Sequence, residues 1–170
     1  QMVYEGNITP VKTHIGNFET IDFSDFTREG KYILRAGDVT TRPFYINGNI
    51  WEDSAWRVLN FMFVERCGYP VPEKHGVCHT DLNGEHNGKT FTVNGGWHDA
   101  ADMSQQTMQT GEIAFAILEM ANRAREKGNT DLYLRLMEEA QWGLDYILKT
   151  RFGDGYRVQK IGRASCRERV

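Results

Sequence analysis

The stretch from Gly95 to Asp102 reads Gly-Gly-Trp-His-Asp-Ala-Ala-Asp and places two carboxylates three residues apart, directly after a double glycine. Asp99 and Asp102 precede a long apolar segment, and residues three apart can share one face of a helical first turn. Two carboxylates held in this way can bind one water molecule and take a proton from it, which is general-base chemistry. The same spacing also suits a structural role, because aspartates at a helix start cap N–H groups and favour the positive end of the helix dipole.

A second set of side chains in the same region has metal-binding chemistry: Cys67, Cys78, His79 and His98. Two thiolates and two imidazoles form a donor set that Zn²⁺ binds in tetrahedral geometry. The long polar loop in this region cannot order itself by hydrophobic burial, so a metal ion would fix it beside the carboxylates. Two alternatives stay open: the two cysteines could form a disulfide in a secreted protein, and His75 or His86 could replace one of the ligands.

Helical periodicity predicts three helices after Asn47. Residues 49–67 form the first, residues 102–127 the second and residues 130–149 the third. The middle of the second helix, from Ile113 to Ala121, is apolar on nearly every face, which predicts burial all round. Before Asn47, short stretches of β-forming residues separated by glycines predict a β-sandwich or barrel.

The composition excludes several classes of protein. The chain has 170 residues, 40% of them hydrophobic, and a formal net charge of −3, which is typical of a globular protein with a real core. A mildly acidic chain without a basic stripe argues against nucleic acid and anionic membranes as partners. No apolar run is long enough to span a bilayer.

The stretch from Gly95 to Asp102 resembles the signature of glycoside hydrolase family 9, in which Gly-Gly-Trp is followed by a variable residue and Asp-Ala-Gly-Asp. Ala101 stands where the family has Gly. Asp22 to Leu34 resembles the late strands of the immunoglobulin-like module that precedes many catalytic domains of this family. The resemblance implies a multidomain fold: residues 1–47 are the C-terminal part of an immunoglobulin-like β-sandwich, and residues 48–160 are the first part of an all-α (α/α)6 barrel.

The resemblance to family 9 also implies a function, that of an inverting β-1,4-glucanase. Asp102 is then the general base that deprotonates the attacking water, and Asp99 helps to hold that water. The general acid of the family is a glutamate late in the catalytic domain, so these residues are expected to be an inactive fragment by themselves. The implied partner is a β-glucan polysaccharide or oligosaccharide.

The same resemblance implies cofactors, oligomeric state and location. A structural Zn²⁺ is expected on the four Cys and His ligands. The resemblance also allows a Ca²⁺ site in a part of the catalytic domain that these residues do not include. The protein is expected to be a monomer that is secreted or periplasmic, with its signal peptide outside the sequence.

Residues 161–170 resemble the translation of a short-read sequencing adapter and are predicted to be a non-native tail.

Two other functions remain open from the sequence. One is a non-catalytic carbohydrate-binding or scaffold protein with the same fold, and the other is an unrelated helical zinc protein in which the two aspartates only cap. Trp97 suits either a sugar-stacking platform or a core anchor, and we expect a core anchor. The remaining tryptophans are expected to pack along helical stripes: Trp51, Trp56 and Trp142.

Overall fold

The structure, a computed structural model, describes residues 1–99 and 104–161, and the chain divides after Asp53 into two units. The first unit contains short antiparallel strands, and the second contains most of the helical structure. Of the predicted tail 161–170, only the backbone of Ile161 falls within the described residues, so the tail stays a prediction.

The first unit consists of three two-stranded antiparallel ladders. They are β1 (Ile8–Thr13) with β2 (Gly16–Ile21), β3 (Gly30–Tyr32) with β6 (Phe44–Ile46), and β4 (Arg35–Ala36) with β5 (Val39–Thr40). The β-rich character predicted before Asn47 is therefore confirmed. Each ladder has only two strands and β1 is exposed along its whole length, so the complete sandwich remains a prediction.

The described part of the second unit contains α2 (Thr107–Glu126), α3 (Thr130–Lys149) and all but the first two residues of α1 (Glu52–Val64). Helix α3 follows the predicted boundaries, because the Asn129 side chain accepts a hydrogen bond from the Leu132 N–H and so caps its start. The predicted start of α2 at residue 102 is wrong. An extended segment, β9 (Gln105–Gln106), precedes the helix and pairs with β10 (Lys160–Ile161). None of the helices in the described ranges is both long and apolar enough to cross a bilayer.

The core of the second unit lies between the three helices. Leu59 of α1, Ile117 of α2 and Leu136 of α3 are buried in one cluster. The prediction that α2 is buried all round is wrong, because Phe115 is 65% exposed. In the described part of the chain α2 packs mainly on α3, so only one face of its apolar middle is covered.

The tryptophans follow the prediction in three of four cases. Trp97 is 3% exposed and belongs to the core, as expected, and Trp56 and Trp142 pack against the same cluster. Trp51 is 77% exposed and lies just before α1, so its predicted packing on a helical stripe is wrong.

The loop between α1 and the Gly-Gly turn contains a hairpin of β7 (Asn83–His86) and β8 (Lys89–Thr92). A second apolar cluster anchors the segment that follows this hairpin, with Val93 and Tyr146 fully buried in it. The loop is thus partly ordered by apolar burial, which its polar composition did not indicate.

Gly143 on α3 lies against the edge of the six-membered ring of Trp97. A Cβ atom there would lie 2.4 Å from Trp97 Cη2, which is far inside van der Waals contact. We expect Gly143→Ala to lower the free energy of unfolding by about 3 kcal/mol, because the indole must leave its place in the core. Denaturant titration measures this change.

Gly111→Ala is the matched control for this prediction. Gly111 lies inside α2, and its nearest neighbour would be Ile147 Cδ1 at 3.8 Å, an ordinary contact. Without a clash, alanine should stabilise the helix by about 0.5–1 kcal/mol. Equal effects of the two substitutions would contradict the packing described for Trp97.

Candidate functional site

A short antiparallel bridge joins the chain after α1 to the Gly-Gly turn. Arg66 is paired with Trp97. The Cys67 N–H donates to the Gly96 carbonyl at 3.0 Å, and the His98 N–H donates to the Glu65 carbonyl at 2.9 Å. Since side chains alternate along extended backbone, the paired residues project to one face of the bridge and their neighbours to the other. The bridge therefore presents two chemically different faces.

The double glycine is required by the backbone of this turn. Gly95 has φ 122° and Gly96 has φ 61°, both in the region that residues with side chains rarely adopt. A Cβ on either glycine would lie 3.1 Å from the ring of Tyr146. The turn can therefore pack closely against α3 only because both positions lack a side chain.

The four predicted ligands converge on one face of the bridge. One donor atom from each of Cys67, Cys78, His79 and His98 lies within 4.8 Å of the others. Cys67 Sγ is 3.3 Å from His79 Nδ1, and Cys78 Sγ is 3.3 Å from His98 Nε2. His79 has φ 54°, a strained backbone that aims its ring into the cluster. Residues far apart in sequence thus form one compact donor set.

The two sulfur atoms are spaced as zinc ligands rather than as a disulfide. Cys67 Sγ and Cys78 Sγ are 3.9 Å apart and both thiols are free, whereas a disulfide bond is about 2.05 Å long. Two thiolates, each about 2.3 Å from a tetrahedral Zn²⁺, lie about 3.8 Å apart. The alternative ligands contact other groups: His75 Nε2 lies 2.9 Å from the Val64 carbonyl, and His86 Nε2 lies 3.2 Å from Asp154 Oδ2.

Polar groups around the donor set orient it. The buried Gln105 amide donates to Cys67 Sγ at 2.8 Å, and the Gly68 N–H donates to Cys78 Sγ at 3.2 Å. Glu65 Oε2 lies 3.5 Å from His98 Nδ1, which leaves Nε2 directed at Cys78 Sγ. Such outer contacts fix the ring orientation and the tautomer of metal-binding histidines.

Burial shapes the protonation of this cluster. Desolvation raises the pKa of the Cys67 thiol to about 12, and it lowers the pKa of His98 against the opposing effect of Glu65. Without a cation the site therefore favours a neutral thiol and a neutral imidazole. A divalent cation would supply the positive charge that the buried Cys67 thiolate and the half-buried Cys78 thiolate need.

Asp99 lies next to the donor set, but not on a helix. Its N–H donates to the Ser104 carbonyl at 2.8 Å, and its Oδ2 accepts hydrogen bonds from Gln106 Nε2 at 2.6 Å and from Ser104 Oγ at 3.3 Å. Asp99 is not in the first turn of α2, because Gln105 and Gln106 are extended and α2 starts after them. That Asp99 and Asp102 share one helical face stays a prediction, because residues 100–103 lie outside the described residues.

Asp99 does not occupy the N-cap of α2 either. Gln106 is the N-cap residue, and its own side chain makes no capping hydrogen bond. Asp99 is exposed and oriented by hydroxyl and amide groups, an arrangement that presents a carboxylate to solvent at a fixed place. Asp102, the other predicted catalytic residue, lies outside the described residues.

Sequence reasoning missed two residues that contact this site. Glu139 is fully buried on α3, where it accepts a hydrogen bond from Trp97 Nε1, and Gln105 donates to Cys67. Glu139 follows Leu132 and Leu136 on the buried stripe of α3, so a carboxylate at that position was a signal of a buried partner. Gln105 has no comparable signal in the sequence.

Comparison with known proteins gives consistent matches. The family model described as glycosyl hydrolase family 9 matches residues 51–166. Endoglucanase D of Acetivibrio thermocellus is 28% identical over an alignment 182 residues long, gaps included. This alignment covers 91% of this chain and 28% of that protein. The chain thus spans less than a third of the length of this curated relative.

Solved structures match over most of the chain. The GH family 9 endoglucanase J30 superposes with a TM-score of 0.62 at 22% identity, covering 85% of this chain and 32% of that one. A Zn-binding triple mutant of the same endoglucanase superposes with a TM-score of 0.61 at 24% identity, with the same coverage. At this identity the likeness establishes the fold, which is part of the family 9 fold.

Proposed function

Because this chain belongs to glycosyl hydrolase family 9, we propose that it forms part of an inverting hydrolase of β-1,4-glucosidic bonds in cellulose or related β-glucans. The observation that carries the proposal is the placement of Asp99. The bridge fixes the backbone of the preceding residue, His98, and Ser104 and Gln106 orient the carboxylate itself. The relative Endoglucanase D supports the choice of substrate class.

The proposed chemistry uses the two aspartates on one water molecule. Asp102 takes the proton from the water that attacks the anomeric carbon, and Asp99 accepts a hydrogen bond from the same water and fixes its direction. In an inverting enzyme the base stands about 6.5–9.5 Å from the general acid, which leaves room for that water. We propose that the acid comes from the part of the family fold that these residues do not span.

The donor set of Cys67, Cys78, His79 and His98 is proposed to bind one structural Zn²⁺. The sulfur spacing and the soft donors support this assignment, as does the existence of a Zn-binding triple mutant among the structural neighbours. All four positions of a tetrahedral ion would be filled by protein, so the ion has no place for substrate. Its role would be to hold the loop and the turn that carries Asp99.

The proposal also covers the domain organisation, the cellular location and the oligomeric state. We assign the ladders of residues 1–47 to an immunoglobulin-like module and residues 48–160 to the catalytic domain. The whole protein is proposed to act as a secreted or periplasmic monomer, because cellulose and other β-glucan polymers lie outside the cell. Its catalytic domain is proposed to be an (α/α)6 barrel.

The proposal is tested by expressing the complete reading frame that encodes these residues. We expect release of reducing sugar from soluble β-glucan, and proton NMR of the first product formed should show the α-anomer, because a β-bond is cleaved with inversion. The 170-residue chain assayed alone should show no hydrolysis. Formation of the β-anomer would contradict inversion, and tight binding of cello-oligosaccharides without hydrolysis would favour the carbohydrate-binding alternative.

A further inference from the structure

The face of the bridge opposite the donor set contains a buried carboxylate, that of Glu139. Its side chain is 0% exposed. Glu139 Oε1 accepts hydrogen bonds from Trp97 Nε1 at 2.8 Å and from Arg66 Nε at 3.1 Å, and Oε2 accepts from Arg66 Nη2 at 2.8 Å. One carboxylate on α3 therefore binds both central residues of the bridge.

The two residues that Glu139 binds are the immediate neighbours of residues in the donor set. Arg66 precedes Cys67, and Trp97 precedes His98, which is followed by Asp99. A shift of either central residue along the bridge would move a ligand on the other face, because the two faces share one backbone. The Glu139 carboxylate thus contacts both segments that carry the donor set.

The guanidinium of Arg66 has two carboxylates beside it, but only that of Glu139 is buried and accepts two hydrogen bonds from it. The guanidinium lies 5.0 Å from the centres of the Phe63 and Trp142 rings and 5.4 Å from that of Tyr69. Aromatic faces attract the cation but accept no N–H bond of the strength that a carboxylate accepts. The buried Arg66 side chain therefore depends on Glu139 for its paired hydrogen bonds.

We propose that Glu139 is a positioning residue that fixes the segments carrying Cys67 and His98–Asp99 in register. This inference rests on the proposed function for its meaning, but one of its two tests is independent of metal and of activity. The carboxylate serves both central residues of the bridge and also lies 3.3 Å from Arg135 Nη1 on α3, whereas an amide has one acceptor oxygen and adds a donor that faces Arg66. Glu139→Gln should therefore release one side of the bridge while conserving the size of the side chain.

Glu138→Gln is the matched control. Glu138 is the adjacent residue, its side chain is 59% exposed, and it also lies within 3.3 Å of Arg66 Nη2. The Glu138→Gln substitution removes the same unit of charge from the same helix, and the Glu138 carboxylate touches the same guanidinium, but its other ion pair is with Arg135 on α3. A difference between the two variants then reports the position of the carboxylate rather than the loss of a negative charge.

The first test is hydrogen exchange of two backbone amides in the 170-residue chain. The Cys67 and His98 amides form the hydrogen bonds of the bridge. In Glu139→Gln they should exchange at least about tenfold faster than in Glu138→Gln, while amides in the buried part of α2 exchange at equal rates in the two variants. Equal protection at the bridge, or faster exchange throughout the unit, would overturn the proposal.

The second test uses Co²⁺ alone as a probe of the donor set. Glu139→Gln should weaken Co²⁺ binding by about 10- to 100-fold, the range typical for lost outer contacts. It should also reduce the ligand-field absorption of tetrahedral Co²⁺. Glu138→Gln should bind as the parent chain does. If the parent chain itself fails to bind Co²⁺, the proposed zinc site is wrong, and amide exchange still decides the role of Glu139.

Trp97→Phe covers the case in which Glu139→Gln does not fold. It removes the indole N–H and leaves the pairing of Arg66 with Glu139 in place. Faster exchange of the His98 amide in this variant supports the proposal, and unchanged exchange overturns it.

Discussion

Replacing Asp102 with Asn is expected to lower kcat on β-glucan by about a thousandfold in the complete enzyme, within the range that a lost general base produces. An amide cannot accept the proton that the attacking water must lose, so the chemical step fails although substrate still binds. KM should change little, and the thermal midpoint should stay close to that of the parent. Steady-state kinetics and a thermal melt measure the two effects together.

The control for Asp102→Asn is Asp145→Asn, an equally small change at an exposed position of α3. It should leave kcat unaltered. If Asp102→Asn lowers only the stability of the protein and spares kcat, the aspartate is a structural capping residue and the catalytic assignment is wrong.

Removing the metal is expected to produce the second large effect. At a free metal concentration a thousand times its Kd, binding stabilises the folded state by about 4 kcal/mol. We therefore expect excess chelator to lower the thermal midpoint by about 10 °C, and Cys67→Ser to produce a similar loss that added Zn²⁺ does not reverse. Calorimetry with and without chelator measures this change.

A neighbouring histidine provides the control for the metal prediction. The His75 ring lies 5.5 Å from that of His98 but is not one of the four donors. His75→Asn should retain one bound Zn²⁺ per chain, whereas His79→Asn should not. Loss of metal from both variants, or from neither, would contradict the assigned ligand set.

The sequence was sufficient for features that depend on local signals. The limits of α3 follow from the Thr-Asp start, the apolar spacing and the final Lys149, and the structure has the same limits. Residue type alone gave the two cysteines and four histidines of the region, and the resemblance to family 9 was needed to prefer His79 and His98 over His75 and His86. The structure then brings the four predicted ligands together across the loop.

Other features depend on contacts between distant residues, which no local pattern contains. The start of α2 is delayed because Gln105 and Gln106 pair with Lys160 and Ile161, more than fifty positions away. The exposure of Phe115 depends on which helices lie beside α2, not on the apolar character of the segment. The role of Glu139 required the positions of Arg66 and Trp97, although its place on a buried stripe indicated that it had a partner.

The bridge between Arg66 and Trp97 has a consequence for engineering, because it holds both ends of the intervening loop together. At the tip of the hairpin inside that loop, Asn87 and Gly88 have φ of 50° and 73°, which forms a tight two-residue turn. With the loop ends already joined, each doubling of loop length costs only about 0.6 kcal/mol. The tip is therefore an attachment point, where a binding peptide or a label can be grafted without moving the residues that the bridge holds.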